Sequence, residues 1–154
     1  MKRIKLLIFT IIILQLICYK VFSQVIIQKI NDLSFGDVFI GYSSTVTDLD
    51  PSAAKFMFYQ NSKASMKLRV SFQLPNSLTN GTNSVNINFN NYVSWARADV
   101  QTGRTYVNPY SPFVIDNVRR NRYHYIWLGG QISSTTDIQP GLYTGTIILT
   151  IEVL

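Results

Sequence analysis

The sequence predicts an all-β domain, an antiparallel sandwich, behind an N-terminal export leader. Three observations carry this. Met66, Leu68, Val70, Phe72 and Leu74 alternate without error with Lys67, Arg69, Ser71 and Gln73. The last stretch, after Pro140-Gly141, carries Tyr143, Ile147, Leu149, Ile151 and Val153 on odd positions and Thr144, Thr146, Thr150 and Glu152 on even ones. Successive side chains of a strand point to opposite faces, so both patterns read as half-buried strands. Beyond the leader, no stretch keeps the ~3.6-residue apolar period of a helix. Short apolar runs recur instead, with turn signals between them, as in a sandwich.

The leader is the first element. Lys2, Arg3 and Lys5 precede the apolar run Leu6 to Ile17, and Val21-Phe22-Ser23 supplies small or branched residues ahead of a cut before Gln24. A charged start, an apolar middle and a small-residue cut make a secretory signal over residues 1–23. The run falls short of the ~20 apolar residues of a spanning helix, so an uncleaved membrane anchor is the lesser alternative. A lipoprotein cut ahead of Cys18 is a third, disfavoured by the bulky Ile17 before it. The membrane thus enters only through export. Cleavage leaves 131 residues, enough for one core. Lys2, Arg3, Lys5 and Lys20 leave with it, so ten basic residues face eight acidic ones and the net charge falls from +6 to +2. The basic balance of the whole chain is therefore no argument for nucleic acid. Cys18 also leaves, which excludes disulfides and thiol chemistry from the processed domain.

The remaining elements follow in order. Residues 24–32 form a lead-in, either a first strand or a candidate donor strand, and the sandwich proper covers 33–154. In Leu33-Ser34-Phe35-Gly36-Asp37-Val38-Phe39-Ile40-Gly41 the apolar face changes parity at Gly36-Asp37. One inserted residue is what a β-bulge supplies, so a bulged strand with a positive φ at Gly36 is expected. Two short strands joined by a turn are the alternative. Thr45 to Ser52 reads as loop. Ala54, Phe56 and Phe58 alternate with Lys55, Met57 and Tyr59 as a strand. The strand from Met66 ends at Pro75, and a one-residue slip would put its five apolar side chains in water. Asn80-Gly81 marks a tight reversal. Val85, Ile87, Phe89, Val93 and Trp95 share odd parity. Gln101-Thr102-Gly103 makes a hairpin-like turn, with Arg104 to Val107 returning. Asn108 to Pro112 is loop and Phe113 to Ile115 a short strand. Tyr123 to Leu128 is bulky on both faces, which places it centrally, and Gly129-Gly130 breaks it. Ile132 to Ile138 leads to the Pro140-Gly141 turn, and the final strand closes the fold. Gly145 sits on the apolar face of that strand, where a large side chain, an aromatic by preference, is expected to fill its space.

Catalytic chemistry is scarce. His124 is the single histidine and lies mid-strand among aromatics, so a structural role is expected; a base needs a positioned partner. Asp48-Leu49-Asp50 offers two carboxylates where Ca²⁺ needs ~6–8 oxygens, which reads as a solvated loop. A non-catalytic protein without cofactor or metal is expected. Arg119, Arg120 and Arg122 lie beside Tyr123 and read as a loop tip or a contact for an anionic surface polymer. Trp95, Tyr106, Tyr110 and Trp127 are candidates for a sugar-binding face, though most aromatics of a small sandwich serve its core. Asn80-Gly81-Thr82 matches a glycosylation acceptor, yet the turn explains it.

Several stretches together resemble a bacterial family: Leu33 to Val38, Ala53 to Phe56, Met66 to Pro75, Leu128-Gly129-Gly130-Gln131, and Gln139 to Ile147. The chain is similar to the secreted β-sandwich domains of unknown function related to spore coat protein U and to archaic Csu-type pilin subunits. The resemblance implies an immunoglobulin-like, pilin-like sandwich. It assigns structural roles to Phe35, Gly36, Gly129, Gly130, Pro140, Gly141, Tyr143 and Gly145. It implies secretion to the periplasm, outer cell surface or medium, and a fimbrial or coat subunit that joins through β-edges. Copies of itself or other surface subunits are the implied partners, with a periplasmic chaperone and usher. The alternative is a secreted module that binds a glycan or surface polymer through Trp95, Tyr110, Arg119, Arg120, Arg122 and Trp127.

Overall fold

The computed structural model describes residues 25–133 and 139–154. The leader and Cys18 lie outside these residues, as do residues 134–138 of the run before Pro140. The described residues contain no helix and twelve strands. These are β1 (Val25–Asn31), β2 (Ser44–Val46), β3 (Ala54–Gln60), β4 (Met66–Gln73), β5 (Ser77–Thr79), β6 (Ser84–Asn88), β7 (Val93–Ala96), β8 (Thr105–Tyr106), β9 (Phe113–Val118), β10 (His124–Leu128), β11 (Gly130–Ile132) and β12 (Ile148–Val153). They form an all-β, sandwich-like arrangement of three antiparallel sheets, ordered β1-β3-β10-β7-β8, β2-β11-β6-β5 and β12-β4-β9. Thr79 and Thr144 exchange two backbone hydrogen bonds of 2.9 Å, which tie β5 to the approach to β12.

Alternation decides most of this. In β3, Ala54, Phe56 and Phe58 are buried and the residues between them half-buried. In β4, Leu68 and Val70 are fully buried, while Met66, Phe72 and Leu74 pack on the core from its margin. Ile87, Phe89, Val93, Ile115, Val118, Ile126 and Leu128 complete the core between the sheets. Full burial of one such side chain contributes ~1.5–3 kcal/mol. The strand expected to be central is central: β10 pairs with β3 on one side and β7 on the other. Asn80-Gly81 turns the β5–β6 hairpin, with Gly81 at φ 91°, and Gly103 (φ 73°) sits in the turn between β7 and β8.

Gly129 is where the chain leaves one sheet for another. A Cβ there would lie 2.1 Å from the Val46 carbonyl oxygen, so the close approach of β2 admits no side chain. Strand β10 thereby stays in the five-stranded sheet while β11 enters the four-stranded one.

Several expectations need correction. Leu33 to Gly41 forms neither a bulged strand nor two strands. Gly36 does have a positive φ of 61°, but it lies in an irregular segment. Leu33 and Phe35 pack on the core, whereas Val38, Phe39 and Ile40 are exposed, and a turn from Phe39 to Tyr42 follows. The parity change marks a segment that turns its apolar residues in two directions and so cannot serve one sheet face. Bulge-like register shifts occur elsewhere: between β1 and β3 at Lys29 to Asn31, and between β4 and β9, where Met66 faces Val118 while Leu68 faces Ile115. Asn117 takes the extra position at φ 59°. Ser44–Val46, which falls largely in the expected loop, is a strand because β11 pairs with it. The final strand begins at Ile148 rather than Tyr143, and it lies at a sheet edge beside β4. Its Leu149 and Ile151 pack against the core, but Val153 is about half exposed. The space at Gly145 is occupied by Leu78 and Pro75, not by an aromatic ring. Residues 25–31 of the lead-in pair with β3 of their own chain, from Val25 opposite Gln60 to Asn31 opposite Lys55.

Candidate functional site

The larger of two concavities formed by described residues is an open, mainly apolar groove of about 1230 Å³. Its floor reaches the core at Phe56, Ile87 and Phe89. One wall is the irregular segment 32–42 and the other the approach to β12, residues 139–147. The rim is apolar and solvated: Phe39 is 75% exposed, Tyr42 72% and Leu142 82%. Single exposed apolar residues are ordinary, but a contiguous group above an open core marks a contact surface.

Six of the eight residues given structural roles line this groove: Phe35, Gly36, Pro140, Gly141, Tyr143 and Gly145. Phe35 lies against Gly130, where an added Cβ would stand 3.5 Å from its ring. Gly36, Pro140, Gly141, Tyr143 and Gly145 line the walls. Gly141 abuts the Asn80 amide, leaving no room for a Cβ, and the Tyr143 hydroxyl donates to the Gln139 carbonyl at 2.8 Å. Gly129 adjoins it in sequence and fixes the β2–β11 approach. The groove thus collects segments far apart in the chain, which no local pattern announces.

The candidate ligand contacts are not gathered there: Tyr106 lines a second, smaller cleft, and the others line neither cavity. Trp127 is buried, with the Arg104 guanidinium 3.7 Å above its ring. Its face is therefore unavailable to a sugar. Trp95 is half-buried and stacks on His124. The Tyr110 hydroxyl accepts from the Phe89 amide at 3.1 Å and donates to Asn88 Oδ1, so it locks two loops together. Arg119, Arg120 and Arg122 are exposed on the turn before β10, with no acidic partner among the described residues. That turn is pinned by the Asn121 amide, which donates to the Gln60 carbonyl at 2.8 Å.

His124 is buried between Phe58 and Trp95, at ring distances of 5.2 and 6.4 Å. Its Nδ1 lies 3.0 Å from the Arg122 carbonyl oxygen. Burial holds its pKa below the usual histidine value, which favours a neutral ring donating from Nδ1. Asp50 accepts from the Thr47 amide and hydroxyl, and the hydroxyl bond most strongly lowers its pKa. Asp48 is buried and bonded by Ser94 Oγ, with Arg104 Nη1 bonded to its carbonyl and 3.5 Å from Oδ2. Both carboxylates of the Asp48-Leu49-Asp50 run are thus engaged by the protein. Sequence reasoning missed the Arg104–Asp48–Ser94 cluster, since its members lie far apart and have no shared motif.

A comparison with family models finds no match, and neither does one with curated proteins.

Proposed function

We propose that this is a non-catalytic, exported structural subunit, an immunoglobulin-like and pilin-like sandwich that joins to copies of itself or to other surface subunits through its β-edges. The observation that carries this reading is the apolar groove, open to Phe56, Ile87 and Phe89 and rimmed by Phe39, Tyr42 and Leu142. A folded domain gains by covering such a surface at ~25 cal/mol per Å² of apolar area. An extended segment from another chain suits it, because strand addition supplies main-chain hydrogen bonds as well as alternate side chains for the groove. Strand β1 is the candidate donor. Within one chain it lies at the edge of its sheet, and Ile27 and Ile30 remain exposed there. Such an edge is itself a template for a further strand. Two of the stretches that carry the resemblance, Leu33 to Val38 and Gln139 to Ile147, line the same groove, which fits an assembly role for them.

The test uses the lack of cysteine after the leader. Processed Ile27→Cys and Leu142→Cys variants, one carrying a size tag, are mixed and oxidised. The reading expects a mixed disulfide dimer well above the two self-paired species. Only statistical pairing would contradict it.

A further inference from the structure

We infer that a second cleft, of mixed polar and apolar lining, binds an uncharged saccharide. The cleft has about 680 Å³ and is formed by residues 47–49, 90–92 and 106–109. That volume lies within the ~300–1,000 Å³ of small-ligand sites. Its chemistry selects the ligand class. Tyr106 is 62% exposed and offers a ring face, on which the C–H face of a pyranose can stack. Asn90 and Asn91 line the cleft, and their side-chain amides make no hydrogen bond among the described residues. A free amide presents a donor and an acceptor side by side, which matches adjacent sugar hydroxyls. The one charged residue in the lining, Asp48, is buried and bonded by Ser94 and Arg104. With no free cation in the wall, phosphate and other anions find no counter-charge.

The walls are held before any ligand arrives. The Val107 amide donates to the Val93 carbonyl at 3.1 Å, and the Gly129 amide to the Tyr92 carbonyl at 2.8 Å. Tyr110 couples the 88–89 backbone to the loop carrying Asn108, whose Oδ1 accepts from the Tyr110 amide at 3.0 Å. Asn91 is set in a left-handed conformation, φ 63°, which asparagine tolerates better than most residues. A prearranged site loses less entropy on binding. This inference is independent of the assembly reading, since the groove and the cleft share no lining residue.

The experiment is a ¹⁵N–¹H correlation titration of the processed protein with neutral cello-, chito-, malto- and manno-oligosaccharides. At least one series is expected to give saturable shifts at the Asn90 and Asn91 side-chain amides and the Tyr106 backbone. Tyr106→Ala should weaken that binding about tenfold. Asn90→Ala, at an exposed position, should weaken it as well, with the remaining spectrum unchanged. Absence of saturable shifts across all four series overturns the inference. So do shifts confined to the groove, or binding that neither substitution alters. A peptide ligand that shifts the cleft resonances while the sugars do not would likewise overturn it.

Discussion

Arg104 illustrates how much a single side chain holds here. Its guanidinium lies on Trp127, its Nε donates to the Val100 carbonyl at 2.7 Å, and its Nη1 reaches Asp48. Both Arg104 and Asp48 side chains are nearly inaccessible, 3% and 4% exposed. Removing one partner of such a pair strands the other charge in the interior. Arg104→Ala is expected to cost ~3–5 kcal/mol in urea unfolding, and Arg104→Ala/Asp48→Asn less than the sum of its parts. A loss within about 0.5 kcal/mol of zero, the range of neutral surface changes, would contradict this placement. His124 makes a second residue-level prediction. Burial disfavours its charged form, and the positive charge of Arg97 adds to that, against the opposing pull of the Arg122 carbonyl. The folded pKa is therefore depressed below the ordinary 6.5. The unfolded chain binds the proton more readily, so this contribution to stability is full above pH 6.5 and declines as pH falls below it. Chemical unfolding at a series of pH values should show that slope, and His124→Phe should remove it. An unchanged slope in the variant would assign the effect elsewhere.

Strands differ in how plainly they announce themselves. Strand β4 could be read directly because five apolar residues alternate with four polar ones, and its bounds, Met66–Gln73, follow the pattern. Strand β3 was legible from a similar alternation, and β10 from bulk on both faces, which placed it centrally. Strand β2 was not: of Ser44, Thr45 and Val46 only one is apolar, and its ladder comes from β11, more than eighty residues away. Leu33 to Gly41 was misleading because β-branched and aromatic residues are equally suited to a wall that shares them between core and solvent. The irregularity in β9 was written in the spacing of Ile115 and Val118, three residues apart yet both fully buried. Asn117 absorbs the offset in a left-handed conformation, which costs most L-residues ~1–2 kcal/mol. Asn117→Val should destabilise the domain by about that amount in thermal or urea unfolding, and Asn117→Gly should be tolerated. Equal stability of the two variants would show that the position carries no strain. The sites were less legible than the strands. Phe35, Gly36 and Gly141 were singled out, but their meeting at one groove depends on long-range topology. Trp127 was misplaced at a surface because nothing local reveals that Arg104 covers it.

Taken whole, the molecule closes its core well where the sheets face one another and poorly along one side. There the 32–42 segment and the approach to β12 stand apart, and about 1230 Å³ opens onto Phe56, Ile87 and Phe89. Strand β1 reaches this opening only at Lys29 and extends the five-stranded sheet at its edge. Under the proposed assembly reading, another copy covers the apolar rim. Leu142 is the side chain for a decisive change, since at 82% exposure it contributes little to its own fold. Sedimentation velocity of the processed protein across a wide concentration range should show species larger than a monomer that grow with concentration. Leu142→Glu should return the distribution to monomer without lowering thermal stability. A wild-type chain that sediments as a single monomeric species at every concentration, as the variant does, would contradict self-assembly.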